Sequence, residues 1–221
     1  MNPTILVVVA VEAERAAVLQ GLSEQAPIKV ITCGVGPAAA AAATAMELAG
    51  GGSYQLVISA GIGGGFHPQA AIGSLVVSSL IAAADLGAES ADGFITIEQL
   101  GFGQCSIPAS AYWSEAIYRK LQAAALPSCI APIITAATAT GTSATAAARL
   151  QQTPGAAAEG MEGHGVATAA QLRNLPIVEL RAISNAVGPR DRDAWRIKDA
   201  LAALEAAFRA IEPLCITEQT P

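Results

Sequence analysis

Glu162 and Asn185 are the residues around which chemistry can be built. Glu162 follows Met161 where a short apolar segment gives way to a helical pattern. Ser184 and Asn185 close a near-continuous apolar run, residues 177–183, that carries Glu179 and Arg181 inside it. In parallel α/β sheets, ligands bind outside the carboxyl ends of strands. The stretch 156–191 therefore places a carboxylate and a carboxamide at neighbouring strand exits. A carboxylate can take a proton or accept from hydroxyl groups, and a carboxamide offers a donor and an acceptor together. Glu12 and Glu14 open the helix after the first strand. Acidic residues there also complement the helix dipole, and the residues alone leave both readings open. A further exit carries Gly-Ile-Gly-Gly-Gly at 61–65, where backbone can approach a neighbour closely. It is not a Walker A loop, because no Gly-Lys-Ser/Thr follows. A second glycine turn, Gly34-Val35-Gly36-Pro37, can offer backbone N–H groups to an anion or a ligand oxygen.

The elements that must position these residues alternate between strand and helix patterns. Strands are expected at 5–10, 28–33, 55–60, 74–83, 94–97, 130–136 and 177–183, with a short one before Met161. Helices are expected at 12–22, 37–49, 111–125 and 143–150, the last capped by Ser143. A terminal helix is expected at 190–211, begun by Asp191 and Asp193, with frayed residues after it. The third strand is expected to end in a glycine loop at 61–66, and Pro108 to lie in a loop. Trp113 and Tyr118 read as packing residues. No linker, charge block or repeat divides the chain, so residues 1–221 read as a single α/β domain.

Composition narrows the function. Hydrophobic residues make up 52% and charged residues 14%, which excludes disorder and leaves apolar, alanine-rich surface for a partner subunit. A net charge of −6 without a basic stripe argues against nucleic acid. Cys33, Cys105, Cys129 and Cys215 lack metal spacing, and two histidines are too few for a His-based zinc site. The cysteines read as reduced, mostly buried thiols of a cytoplasmic protein. The N-terminus lacks a basic n-region, and Glu12 interrupts the apolar run 5–11, so it does not read as a signal peptide. The apolar stretch 70–84 falls short of a membrane span.

The order AVEAE (10–14), CGVG (33–36), SAGIGGGF (59–66), GSLVVSS (73–79), EGMEG (159–163) and RAISN (181–185) resembles the purine nucleoside phosphorylase/uridine phosphorylase family over nearly the whole chain. AADLG (83–87), TATGT (138–142) and RAISN draw it towards the hydrolytic nucleosidase branch. The resemblance implies a three-layer α/β/α fold with a central mixed sheet. It implies hydrolysis of the N-glycosidic bond of futalosine, giving hypoxanthine and dehypoxanthinyl futalosine, a step of menaquinone biosynthesis. A methylthioadenosine/S-adenosylhomocysteine-type nucleosidase or a purine nucleoside phosphorylase is the alternative. The implied partner is a small nucleoside, with no metal or organic cofactor, and the implied assembly is a homodimer or higher homo-oligomer.

Residue by residue, the resemblance assigns Glu14 as the base that activates water and Asn185 as the contact to the purine six-position and N7. Glu162, with Met161, matches the carboxylate that holds the ribose hydroxyls, and Gly64, Thr140 and Ser184 join the substrate-binding set. Glu12 matches the neighbouring acidic position. Adenine-cleaving relatives carry Asp at Asn185, which disfavours an adenine substrate here. They carry Ser or Thr at Ile62 and a Phe-containing loop where Thr140-Gly141-Thr142 stands, departures that leave the base and water contacts open. A phosphorylase would need a cationic cradle, and neither glycine turn contains Arg or Lys. A nucleoside-binding protein without catalysis is a third reading, which the pair Glu14 and Glu162 argues against. Several residues stay open between two roles: His164 and His67 between packing and the site, Asp85 between orienting a site loop and plain turn geometry, and Arg190 and Arg192 between a substrate carboxylate and solvent.

Overall fold

The computed structural model describes residues 4–217. β1 (Thr4–Val9) lies between β2 (Ile28–Thr32) and β3 (Tyr54–Gly65), all parallel, with α1 (Glu12–Gln20) and α2 (Pro37–Ala49) as crossovers. β4 (Leu75–Ala83) leads to a hairpin, β5 (Gly87–Ser90) and β6 (Gly93–Thr96), and then to β7 (Ser106–Pro108) and α3 (Ala111–Ala123). β8 (Ser128–Thr135), α4 (Ser143–Gln152), β9 (Ala158–Gly160), α5 (Gly163–Gln171), β10 (Ile177–Ala186) and α6 (Ile197–Thr217) complete the chain.

The sheet is mixed and partly closes on itself. β3 pairs in parallel with β10 and, at its end, antiparallel with β9. β10 is antiparallel to β4, β4 parallel to β8, and β8 parallel to β9. These five strands form a ring from which β1 and β2 extend as a wing. β1 is apolar on both faces because both are covered. Ile5, Val7 and Val9 share a cluster with Val18 of α1, Trp113 of α3 and Phe208 of α6. Leu6 and Val8 pack on the other side with Leu48 of α2 and Val166 of α5. Helices thus cover both faces, giving the expected three layers.

Several boundaries differ from the sequence reading. Residues 61–65 are not a loop but the end of β3, held in register with β10 from Arg181 opposite Gly61 to Ala186 opposite Gly65. Glycine stands there for space. A Cβ at Gly61 would lie 2.5 Å from Glu14 Oε1, and one at Gly65 2.6 Å from the Ala70 carbonyl. Ser184 and Asn185 do not follow the strand but lie inside β10, at a register shift. Thr142, not Ser143, caps α4, its hydroxyl accepting from Thr145 N at 3.1 Å. Pro108 ends β7, which pairs with β4. The terminal helix begins at Ile197 rather than residue 190. A 3-10 turn at Arg192–Ala194 and an extended Trp195 (φ −72°, ψ 129°) come first. Arg196 N donates to Ser184 O at 2.8 Å, which ties this segment to the site. The helix also continues past residue 211, where fraying is expected, as far as Thr217; residues 218–221 lie outside the described residues. Among the described residues no helix is long and apolar enough to cross a membrane.

Candidate active site

The ends of β1, β3, β9 and β10 surround a cleft of about 360 Å³. Glu14, Gly64, Thr140, Met161, Glu162, Ser184 and Asn185 all line it, so the structure brings every residue of the expected set to one place.

Glu14 sits in the first turn of α1, yet its carboxylate turns inward and is buried. Its Oε2 accepts from Ala10 N at 2.9 Å and Val11 N at 3.2 Å, and its Oε1 from Ile62 N at 2.9 Å. Three backbone donors from two strand exits therefore fix one carboxylate. Glu12 points away and pairs with Arg15 on the surface at 3.0 Å, which leaves it the helix-dipole role.

Glu162 is the mirror case. Its Oε1 accepts from Gly36 N at 3.2 Å, and its Oε2 from Met161 N at 3.3 Å and Arg181 Nη2 at 3.1 Å. The Gly34–Gly36 turn thus aims an N–H at the protein's own carboxylate. Gly34 and Gly36 have φ of 85° and 97°, the left-handed region that favours glycine.

Arg181 lies beneath this pair, 1% exposed, and also donates to Glu179 Oε1 at 2.8 Å and Ile62 O at 3.3 Å. Burial works against its charge, but Glu179, Glu162 and Glu14 together hold its pKa above the ordinary arginine value. Burial pushes the Glu179 carboxyl up, and its Oε2 has no hydrogen-bond partner. A Cβ at Gly160 would lie 2.7 Å from Arg181 Cζ, and one at Gly163 1.9 Å from Glu179 Oε2. The glycines flanking Met161-Glu162 therefore make room for this ion pair.

Asn185 donates from Nδ2 to Ala186 O at 2.9 Å, and its Oδ1 lies 2.8 Å from the Ser184 hydroxyl. An amide nitrogen has two protons and its oxygen two lone pairs. One donor site and one acceptor site thus remain for a ligand.

Thr140 is held by groups the sequence reading did not assign. Its N donates to Glu159 Oε1 at 2.7 Å, and its hydroxyl contacts Glu159 and Arg149. Arg149 pairs with Glu159 at 2.5 Å, both almost fully buried. A charge in an alanine-rich context was the available signal, since buried charges are paired. Arg181 and Glu179, inside the apolar run of β10, carried the same signal. Trp195, also at the cleft, gave none.

Among the residues left open, Asp85 orients the site loop, accepting from Ala137 N at 2.8 Å and Thr138 N at 3.4 Å. Arg190 lines the cleft with its guanidinium 5.6 Å from the Trp195 ring; Arg192 lies outside the cleft, 5.9 Å from the same ring. His164 does not line the cleft; its Nε2 is buried without a partner and burial lowers its pKa, so it packs. His67 is exposed and outside the cleft. Only Cys105 of the described cysteines is buried. Cys33 is half-buried, and its thiol is pushed up to about 11 by burial and by Glu162, which suits packing rather than a nucleophile. Cys215 falls where side chains are not described.

The family model of the Phosphorylase superfamily matches residues 8–213. The chain is 49% identical over 189 residues to the futalosine hydrolase of Streptomyces coelicolor, covering 84% of this chain and 78% of that protein. Among solved structures, it resembles a methylthioadenosine/S-adenosylhomocysteine nucleosidase of Colwellia psychrerythraea bound to adenine. That match has a TM-score of 0.79 at 21% identity and covers 97% of this chain and 95% of the other. It also resembles the futalosine hydrolase of Helicobacter pylori, with a TM-score of 0.78 at 19% identity, covering 96% and 98%.

Proposed function

The chain belongs to the phosphorylase superfamily, and within it we propose a hydrolase that cleaves the N-glycosidic bond of futalosine, releasing hypoxanthine and dehypoxanthinyl futalosine for menaquinone biosynthesis. Kinship to the Streptomyces coelicolor futalosine hydrolase supports the substrate. The observation that carries hydrolysis over phosphorolysis is the disposition of charge. Arg181 is committed to Glu162 and Glu179, and Arg149 to Glu159. Arg190, the remaining cleft arginine, stands beside Gly141 and Trp195, and beside Glu14 the cleft presents Val11 and Ile62, so a phosphate there would find no cationic cradle.

The proposed roles follow from the geometry. As the bond between C1′ and the purine stretches, positive charge grows on the ribose. Glu162 accepts from the ribose hydroxyls and stabilises that charge, with Met161 and Gly64 lining the sugar and base positions. Glu14, fixed by its three donors, takes a proton from water as the water oxygen bonds to C1′. The base leaves with the bonding electrons and takes a proton at N7 from solvent water, while the proton on Glu14 is released to solvent. Asn185 uses its free Nδ2 proton for O6 and its free Oδ1 lone pair for the N7 proton, with Ser184 and Thr140 holding the walls.

We further propose that the chain acts as a single nucleosidase domain in the cytoplasm, as a homo-oligomer. Met46 on α2 and Leu172 just past the end of α5, 77% and 75% exposed on two helices that pack together, supply apolar surface for a partner copy. Sedimentation at micromolar concentration is expected to show a dimer or larger; a monomer would overturn that assembly.

The substrate is tested by incubating futalosine, its 6-amino analogue, inosine and methylthioadenosine side by side, with and without phosphate. Hypoxanthine release from futalosine, unchanged by phosphate, is expected. Better turnover of methylthioadenosine would overturn the substrate, and phosphate dependence would overturn hydrolysis.

A further inference from the structure

Glu159, Gly64 and Asn185 stand in one row of the sheet. Gly64 pairs with Glu159 across β3 and β9, and with Asn185 across β3 and β10. Neighbouring strands lie about 4.8 Å apart, so the two flanking residues stand about 10 Å from one another. Gly64 between them has no side chain. A Cβ there would lie 2.7 Å from Val187 Cγ2 and 3.3 Å from Asn185 Nδ2. The missing side chain at Gly64 thus leaves room for the Val187 methyl and the Asn185 amide, and all of these residues line the cleft, whose width between two polar walls suits a flat ring system.

One wall is Asn185. The other is Thr140, held over the row by Glu159 and Arg149. Arg149 gathers three acceptors: Thr138 O at 2.9 Å, Glu159 Oε2 at 2.5 Å and the Thr140 hydroxyl. Asp85 holds the same loop from its other end through Ala137 N and Thr138 N. Glu159 spends both oxygens on Thr140 and Arg149, so its charge faces Arg149 rather than a ligand.

We propose that Arg149 is a positioning residue for purine recognition: by tying Thr140 to Glu159 it sets the wall of the base site that faces Asn185 across the cleft. This rests on Asn185 contacting the base, as argued above. A guanidinium fork can hold several acceptors in one plane, whereas an ammonium acts as a point charge. Arg149→Lys therefore separates neutralising Glu159 from fixing the Thr138–Thr140 loop.

The test is calorimetric binding of free hypoxanthine to the wild type and Arg149→Lys, alongside thermal unfolding and steady-state kinetics. The lysine variant is expected to melt within a few degrees of the wild type. It is expected to bind hypoxanthine at least tenfold more weakly, and KM for the nucleoside is expected to rise by a similar factor while kcat changes less than threefold. Wild-type hypoxanthine affinity in Arg149→Lys, or a fall in kcat with KM kept, would overturn the proposal. Should Arg149→Lys not fold, Thr140→Val leaves the ion pair in place and is read the same way: tenfold weaker hypoxanthine supports that wall, unchanged affinity refutes it. Free-base binding needs no turnover. A protein that fails to cleave futalosine can still show the Arg149 effect, whereas one that cleaves it while the variant binds hypoxanthine normally refutes this inference alone.

Discussion

Arg181 Nη2 lies 3.1 Å from Glu162 Oε2, with the arginine 1% and the glutamate 6% exposed. The carboxylate assigned to the ribose is thus held from below by a cation that Glu179 holds in turn. Removing one partner of a buried pair strands the other charge, at a cost of about 3–5 kcal/mol. Arg181→Met is expected to lose stability on that scale in urea unfolding, because it strands two carboxylates. Arg181→Met combined with Glu179→Leu is expected to regain at least ~1 kcal/mol, since the neighbours couple. A double variant as unstable as the sum of its parts would show that Glu179 serves no such purpose.

Gly61 tests whether the glycines of β3 exist for space. A Cβ there would fall 2.5 Å from Glu14 Oε1 and 2.7 Å from Arg181 Nη1. Gly61→Ala is expected to keep its circular dichroism spectrum and lose about 100-fold or more in kcat, by displacing the proposed base, Glu14. Unchanged turnover would mean that Glu14 can shift without consequence.

Asn185 tests selection by hydrogen-bond polarity. Asp is nearly the same size, cannot donate to O6 when ionised, and can accept from a 6-amino group. An unpaired buried polar group costs about 1–3 kcal/mol, or roughly ten- to hundredfold in rate. Asn185→Asp is expected to shift relative kcat/KM towards adenine nucleosides by at least tenfold. Equal loss of both activities would show that Asn185 does not choose the base.

Much of this was legible in the sequence, for physical reasons. Residues 5–10 read as a buried strand because a strand covered on both faces has no polar side to show. Glu162 and Asn185 were legible together because strand ends in such sheets face one cleft, whereas the choice of Glu14 over Glu12 rested on the family resemblance. The glycines at 61–65 misled, since a run of glycine looks the same whether it serves a turn or a crowded strand. Only the partner strands β9 and β10 decide between them. The late start of α6 was hidden because Asp191 and Asp193 mimic helix-opening residues. Arg149 and Glu159 stand ten positions apart in different elements, and nothing local joins them.

In this cleft the Glu14 carboxylate is proposed to activate the attacking water. Glu14→Gln keeps the size but turns an amide NH₂ towards backbone donors, at a cost of about 1–3 kcal/mol, which a folded domain can absorb. The most direct measurement is futalosine turnover by Glu14→Gln, with binding of the substrate measured on the same preparation. The expected result is nucleoside binding retained and kcat lowered by at least ~100-fold, the scale of a lost general base. Turnover near that of the wild type would contradict the account and leave the water without its base.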